Sequence, residues 1–270
     1  MYCYIPKNAC SRFKPLLRKR EGFADWADAH KIHGKNGLQR LQWLSRKLAI
    51  ERLSDTAVRK FVVVRDPFSR LVSAYQNKLA SPWPDQRADF WNKHLRQECP
   101  SLIASTPMPS QGPLMSLESF LHCLLSNDNT QPSNEHWRPQ TELCALDHIQ
   151  YNYYLHLETL ADDAHALLQN LNWHENLTAF QIHRSPVYSR NLSDFFSDRA
   201  LQLALQYYKR DFELLPYQTV PAGTIHFYSV FNGTNFQPGF VPPVDFQAPQ
   251  TDHPSDTRPT EHFPPPPPPS

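Results

Sequence analysis

Lys7 and Ser11 lie in a short segment that suits the binding of phosphate or sulfate groups. They belong to the run Ile-Pro-Lys-Asn-Ala-Cys-Ser at residues 5–11, just before a basic helix that we predict to begin at Ser11. A helix N-terminus offers unpaired backbone N–H groups and the positive end of the helix dipole. Lys7 would add a mobile charge and Ser11 a hydroxyl. The GxxxxGK[ST] signature of P-loop nucleotidases is missing, and a solvated basic turn is the alternative interpretation.

Arg65 and Ser73 flank a second junction between a strand and a helix. Residues 61–64 are Phe followed by three Val, which predicts a buried parallel strand, and a helix is predicted from Asp66 through Lys78. Arg65 would then lie at the carboxyl end of the strand, the edge at which open α/β sheets bind ligands. An Arg fork and a hydroxyl suit a phosphate monoester. The alternative is that Arg65 pairs with Asp66 or another local acid and that Ser73 is merely small for packing.

Short strands alternate with helices along the chain, which predicts an α/β fold with a central, mostly parallel sheet flanked by helices. We predict further strands at residues 2–5 and 151–157, and further helices at residues 38–53, 117–125, 162–171 and 198–208. Residues 80–115 are rich in Pro, Ser and Trp and are predicted to form a long surface excursion.

Composition separates a folded part from a C-terminal tail. The chain has 270 residues and a formal net charge of +1, which argues against a nucleic-acid partner. No run of apolar residues is long enough for a transmembrane helix, and the N-terminus lacks the apolar stretch of a signal peptide. Residues 221–270 hold 13 of the 26 prolines. We therefore predict a folded domain at residues 1–217 and a disordered tail at 218–270, with an SH3- or WW-like partner as the less favoured role for the tail.

The five cysteines, Cys3, Cys10, Cys99, Cys123 and Cys144, lack the CxxC spacing of a zinc ribbon. One or two disulfides are compatible with this number if the protein is exported. Cys144 and His148 have the spacing of two metal ligands on one helix face, but a buried thiol beside a surface histidine is favoured. The sequence therefore predicts no metal site.

Four segments together resemble the carbohydrate sulfotransferases, specifically the chondroitin and dermatan 4-O-sulfotransferase branch, sulfotransferase family 2. The family patterns are IPK-x-A-C-[ST], R-D-P-F-x-R-L-x-S-A-Y and a closing Y-x-x-D-F, which match residues 5–11, 65–75 and 208–212, and EHWRPQ at 135–140 also agrees. The matches keep the family's order and span residues 2–217. The resemblance implies a P-loop-like sulfotransferase fold for the domain at residues 1–217.

The resemblance also implies a co-substrate and roles for individual residues. In the family, the first segment binds the 5′-phosphosulfate of 3′-phosphoadenosine 5′-phosphosulfate (PAPS), and the second binds the 3′-phosphate. The implied cofactor-binding residues are Lys7, Asn8, Ala9, Cys10, Ser11, Lys14, Arg65 and Ser73. His136 is the implied general base, because the pKa of an imidazole lies near working pH, and Glu135 is the reserve. Lys7 would stabilise the leaving group during direct in-line transfer to a carbohydrate hydroxyl, without a metal.

Several departures from the family keep alternatives open. Phe13-Lys14-Pro15 replaces the commoner Trp-Lys-Arg, and no second cysteine follows soon after Cys144. We expect the Golgi lumen if a membrane anchor precedes the chain and the cytoplasm otherwise. A truncated or degenerate relative that binds adenosine phosphates or a partner without turnover is the alternative function, and a phosphoryl transferase is disfavoured because no clear magnesium-binding acid is present. Basic residues that would meet an acidic glycan are Lys78, Arg87, Lys93, His94 and Arg96.

Overall fold

A computed structural model describes residues 1–33, 36–80, 87–105, 107–110, 113–126, 133–180, 192–217 and 219. The predictions made for the Pro-rich tail therefore lie, apart from residue 219, outside the described residues.

A three-stranded parallel sheet forms the centre of the described chain. Its strands are β1 (Tyr2–Cys3), β2 (Phe61–Val64) and β3 (Tyr153–His156), in the order β1-β2-β3. Val62 of β2 pairs with Cys3 on one side and with Tyr154 on the other. All four side chains of β2 are buried, as the apolar run predicts for a central parallel strand. The predicted α/β class with a parallel sheet is confirmed.

Helices surround this sheet. They are α1 (Cys10–Arg20), α2 (Ala29–His33), α3 (Arg46–Ser54), α4 (Pro67–Tyr75), α5 (Arg87–Asp89), α6 (Arg96–Glu98), α7 (Pro100–Ser105), α8 (Leu117–Ser126), α9 (Gln140–Leu143), α10 (Leu160–Asn170), α11 (Asp198–Tyr207) and α12 (Lys209–Leu214). Wider π-helical turns cover Gln76–Ala80 and Phe90–Leu95, and 3-10 turns cover Leu41–Trp43, Leu177–Phe180 and Leu192–Phe195.

The two faces of β2 pack into different parts of the core. Phe61 and Val63 meet Phe13 of α1 and Leu167 of α10 on one face. Val62 and Val64 pack against Ile5, Cys144 and Leu215 on the opposite face. A third and larger apolar cluster joins α4, α8 and α11. Apolar side chains cover both faces of the central strand. The polar groups of the sheet are therefore accessible at its carboxyl edge.

The start of α4 is set by its first residues. The Asp66 carboxylate accepts a hydrogen bond from the backbone N–H of Ser69 at 2.7 Å, and Pro67 occupies the first helical position. The helix ends in α form at Tyr75 and continues as the π-helical turn, so the predicted helix through Lys78 is present with a changed geometry.

Two expectations about local structure were wrong. The predicted surface excursion at 80–115 contains helices, and Phe90, Trp91 and Leu95 are buried in the largest apolar cluster. The prediction relied on the Pro, Ser and Trp content of the stretch. It overlooked that Phe90, Trp91 and Leu95 recur on one side of a helical turn. The single helix predicted at 38–53 is divided, because the Ser45 side chain accepts a hydrogen bond from Leu48 N–H and starts a new helix there.

Two disulfides connect distant parts of the chain. Cys3 is bonded to Cys144, with 6.0 Å between the Cα atoms, and Cys99 is bonded to Cys123, with 5.5 Å. The thiol of Cys10 is free. Cys144 is buried, but its sulfur is in a disulfide, so both the favoured interpretation as a thiol and the alternative of a metal ligand are wrong. The described part of the chain contains no cluster of three metal-ligating side chains, and none of its helices has the length and apolar character of a membrane span.

Candidate active site

The loop between β1 and α1 has an unusual backbone. Lys7 and Ala9 both have positive φ, 73° and 54°, which side chains other than glycine rarely adopt. Ala9 is the N-cap of α1, and within the described structure no side chain caps this helix or places an acid in its first turn. The first N–H groups of an α-helix have no partner within the helix. The N-terminus of α1, with Cys10 and the half-buried Ser11, is therefore available to an anion.

Asn8, between the two strained residues, points inward. It is fully buried, and its Nδ2 atom donates to the carbonyl of Val63 at 2.9 Å and to Gln140 Oε1 at 2.6 Å. The side chain of Asn8 thus fastens the loop to the central strand.

Gln140 joins the first loop to the end of β2. Its Oε1 atom also accepts from the backbone N–H of Arg65 at 3.0 Å, and its Nε2 atom donates to the Arg65 carbonyl at 2.7 Å. The carboxylate of Asp211 in α12 accepts the N–H groups of Gln140 and Thr141, each at 2.9 Å. Both Gln140 and Asp211 are fully buried. All four of the segments singled out in the sequence therefore meet at Gln140.

Arg70 supplies a second connection that the sequence reasoning missed. It is fully buried, and it donates to three carbonyl oxygens: Pro6 at 3.2 Å, Arg138 at 2.8 Å and Glu135 at 2.9 Å. One guanidinium thus links the loop that contains Lys7 to the segment that contains His136. The signal in the sequence was a second arginine on the helix after Arg65, close enough to reach the same sheet edge.

Lys7 and Arg65 are brought together as the sequence predicts. Arg65 Nη1 donates to the Lys7 carbonyl at 3.1 Å. The pKa of Lys7 is lowered to about 8, chiefly by burial and also by the charges of Lys78 and Arg65. Asp66 caps α4, so the alternative of a local ion pair with Arg65 is not what the structure shows. The cations at this edge repel one another, and an anion bound among them would relieve that repulsion.

His136 is held in one orientation, and no side chain or backbone group of the described residues bonds to its second ring nitrogen. Its backbone N–H and its Nδ1 atom both bond to Asn134 Oδ1, at 3.1 Å and 2.8 Å. An amide oxygen only accepts, so Nδ1 carries the proton and Nε2 keeps a lone pair. Burial lowers the pKa of His136 to about 3, and the charges of Lys78 and Lys7 act in the same direction. The imidazole is therefore neutral at physiological pH.

Asn134 is itself fixed from two sides. Its backbone N–H donates to Glu98 Oε1 at 2.5 Å, and its Nδ2 atom bonds to His94 Nδ1 at 3.0 Å. Glu98 is the neighbour of Cys99 in the second disulfide. The orientation of His136 thus depends on a chain of contacts that reaches this disulfide.

Glu135 and Lys14 lie on the other side of the loop, where both contact the side chain of Tyr4. The Tyr4 hydroxyl donates to Glu135 Oε2 at 2.9 Å, and Lys14 Nζ lies 3.8 Å from the centroid of the Tyr4 ring. Burial lowers the pKa of Lys14. Glu135 is exposed and already accepts a hydrogen bond, which makes it a less direct proton acceptor than His136.

The structure gives fewer contacts for the remaining candidate site residues, which are Ser73 and the basic residues predicted to meet the acceptor. Ser73 is half-buried on α4, eight residues after Arg65. Among the predicted acceptor cations, Lys78 acts on the pKa values of Lys7 and His136, whereas Lys93 forms an ion pair with Asp89 at 2.5 Å. The side chain of Arg87 lies outside the described residues.

Comparisons with known proteins agree on one family. The model of the Sulfotransferase family matches residues 1–218. The chain is 31% identical to carbohydrate sulfotransferase 12 of Mus musculus over 246 residues, which cover 80% of this chain and 57% of that protein. It is 31% identical to carbohydrate sulfotransferase 11 of Mus musculus over 177 residues, 63% of this chain and 49% of that protein. Carbohydrate sulfotransferase 9 of Homo sapiens is 29% identical over 172 residues, 63% of this chain and 38% of that protein.

The chain spans about half the length of the curated relatives it matches. No solved structure matches it.

Proposed function

The chain belongs to the Sulfotransferase family, and from this membership we propose that it transfers the sulfuryl group of PAPS to a hydroxyl of a carbohydrate acceptor by direct in-line displacement. We propose also that it has the P-loop-like fold of that family. The observation that carries the proposal is the open N-terminus of α1, where Lys7 and Arg65 converge and the charge of Lys7 reaches His136, whose Nε2 atom has no partner among the described residues.

The donor fits this edge of the sheet by its charge. The backbone of Ala9, Cys10 and Ser11 offers N–H groups to the 5′-phosphosulfate, and Lys7 offers its ammonium. Arg65 and Ser73 are assigned to the 3′-phosphate. Asn8 acts by holding the loop, since its amide is bonded to Val63 and Gln140. Lys14, which lies against Tyr4, adds positive charge behind the helix N-terminus. The mutual repulsion of the cations is the observation that favours an anionic ligand.

When bound, the donor supplies a sulfur atom that gains a bond to the acceptor oxygen as its bond to the phosphate oxygen breaks. Nε2 of His136 receives the proton of the acceptor hydroxyl. The ammonium of Lys7 stabilises the negative charge that develops on the leaving oxygen. Glu135 remains the reserve base.

The low pKa of His136 links binding of the anionic donor to the strength of the general base. Burial and the charges of Lys78 and Lys7 hold that pKa at about 3, so the base is always unprotonated but weak. Anionic groups placed among the same cations raise the pKa of both His136 and Lys7. The donor would therefore strengthen the base and keep Lys7 protonated.

We propose that the protein works in an oxidising compartment, as a Golgi lumen would be. The two disulfides support this, because cytosolic thiols are kept reduced. Expression with and without an oxidising compartment, followed by thiol counting, tests it. Four or more reactive thiols in the active protein would contradict it.

Calorimetric binding of 3′-phosphoadenosine 5′-phosphate, compared with adenosine 5′-monophosphate and with ATP plus magnesium, tests the donor site. We expect binding that requires the 3′-phosphate and is weakened by about a hundredfold in Arg65→Ala. Arg199→Ala, which removes an exposed arginine on α11, is the matched control. Preference for ATP would contradict the proposal, and binding without turnover of PAPS on any glycan would favour a non-catalytic relative.

A further inference from the structure

None of the side chains in the segment from Leu41 to Ser54 is buried. Trp43 is 60% exposed and Ile50 is 52% exposed. A large aromatic side chain usually buries much of its surface, since it gains more from leaving water than any other residue type. Leu48 of the same segment is also exposed, and a group of exposed large apolar side chains is typical of an interaction surface.

The same segment is strongly basic. It and the residue before it contain Arg40, Arg46, Lys47 and Arg52 against a single acid, Glu51. In the described part of the chain, no ion pair engages any of these four cations.

The guanidinium carbon of Arg40 lies 5.4 Å from the centroid of the Trp43 ring. We call these two residues the Arg40–Trp43 platform. An exposed ring with an adjacent guanidinium is suited to a ligand that has both an apolar face and a negative charge.

The segment that leads to the platform is attached to α1, and the charge of Arg40 acts on residues of the candidate active site. The chain is fastened to α1 where Arg18 Nη1 donates to the Asn36 carbonyl, and it has extended backbone at Arg40. Lys14 lies one turn nearer the N-terminus of α1 than Arg18. Burial lowers the pKa of Lys14, and the charge of Arg40 acts in the same direction, so the field of Arg40 reaches Lys14.

From Lys14 the path to the catalytic groups is short. Lys14 lies over the ring of Tyr4, and the Tyr4 hydroxyl bonds to Glu135, the neighbour of His136. Burial raises the pKa of Tyr4 to about 12, and Glu135 contributes to that rise, whereas Arg40 opposes it. The charge of Arg40 thus acts on both Lys14 and Tyr4, and the Tyr4 hydroxyl bonds to the residue next to His136.

We propose that the Arg40–Trp43 platform binds a further sugar of the acceptor, one that carries a carboxylate or a sulfate ester. This inference rests on the proposed function and adds a subsite to it. One face of a pyranose ring presents only C–H groups, and stacking this face on Trp43 removes apolar surface from water. Arg40, whose fork matches a carboxylate or sulfate, pairs with the anionic substituent. An excess of unpaired positive charge on the segment favours a polyanionic glycan over a neutral apolar partner.

Calorimetric titration of unsulfated chondroitin, a polymer of alternating uronate and N-acetylhexosamine, into the full chain tests the platform. A second titration uses the same polymer after reduction of its carboxyl groups. We expect Trp43→Ala to weaken binding of the first polymer about tenfold and Trp43→Phe to restore most of it. Ile50→Ala, which truncates another exposed apolar residue nearby, is the matched control and should bind as the wild type does.

Arg40→Gln separates charge from stacking. We expect it to weaken binding of the uronate polymer about tenfold and to leave binding of the carboxyl-reduced polymer unchanged. The proposal is overturned if Trp43→Ala binds the uronate polymer as tightly as the wild type, if Arg40→Gln affects both polymers equally, or if the wild type binds neither polymer.

These titrations contain no nucleotide, so they stand apart from the test of the donor site. The affinity of every platform variant for 3′-phosphoadenosine 5′-phosphate should match that of the wild type, which also shows that the variants are folded. Loss of nucleotide binding in the wild type would count against the proposed function alone.

Discussion

The amide of Gln140 and the carboxylate of Asp211 are in contact through two nitrogen atoms of one residue. The backbone N–H of Gln140 donates to Asp211 Oδ2 at 2.9 Å, and Nε2 of its side chain lies 3.4 Å from the same oxygen. Asp211 lies 71 residues further along the chain. A helix near the C-terminus of the domain thereby fixes the amide that orients both Asn8 and Arg65.

Replacing Asp211 with alanine should destabilise the fold by about 3 kcal/mol, because the N–H groups of Gln140 and Thr141 would stay buried without an acceptor. Urea unfolding measures this change. Glu213→Gln on the same helix removes only exposed ion pairs and should shift stability by less than about 1 kcal/mol. If both variants lose the same free energy of unfolding, the buried hydrogen bonds to Asp211 stabilise the fold no more than the exposed ion pairs do.

The charge of Lys7 should make nucleotide binding depend on pH. Its pKa of about 8 means that the free protein loses this positive charge as the pH rises through 8. Affinity for 3′-phosphoadenosine 5′-phosphate should weaken as the pH rises through about 8. Lys7→Arg, which stays charged, should remove this dependence in calorimetric titrations. A dependence of the same size in Lys7→Arg would assign it to another group.

His136→Ala should lower kcat by at least about a hundredfold and leave nucleotide binding intact, since the imidazole acts on the acceptor. The pKa of His136 in the free protein is about 3, so kcat/KM for the donor should show no acidic decline between pH 5 and 7. Steady-state kinetics across this range provides the measurement. A decline centred near pH 6.5 would mean that the base titrates as an ordinary histidine, contrary to its burial.

The two disulfides should differ in what their removal changes. Cys3 and Cys144 are 141 residues apart, and Cys99 and Cys123 are 24 apart. Loop-closure entropy therefore predicts losses of about 5 and about 3.5 kcal/mol for the paired alanine variants. Chemical denaturation measures both.

The kinetic effects should follow the opposite order. Cys99 adjoins Glu98, which holds Asn134 and through it His136. We therefore expect the variant without the Cys99–Cys123 bond to have the lower kcat in the folded state. If kcat simply follows stability, the link from this disulfide to His136 plays no part in turnover.

Much of the scaffold could be predicted because its signals are local. Three consecutive Val residues after Phe61 specify a buried strand, and Asp66 followed by Pro67 specifies the start of a helix. The positions of Lys7 and Arg65 at one sheet edge follow from the same rules, since the carboxyl ends of parallel strands share an edge.

The connections that hold the site together could not be predicted in this way. Gln140 and Arg70 bond to groups that are 64 to 132 residues distant in sequence, and no periodicity encodes such pairs. The buried Phe90 and Trp91 were overlooked for a different reason. Their helical spacing is short and lies in a stretch whose composition is typical of loops.

The three bonds of Arg70 end on main-chain oxygens, at Pro6, Glu135 and Arg138. A carbonyl oxygen is the same whatever side chain its residue carries. Arg70 therefore sets the spacing between the loop that contains Lys7 and the segment that contains His136 through main-chain contacts alone. Side-chain substitutions at Glu135 and Arg138 should leave this spacing unchanged.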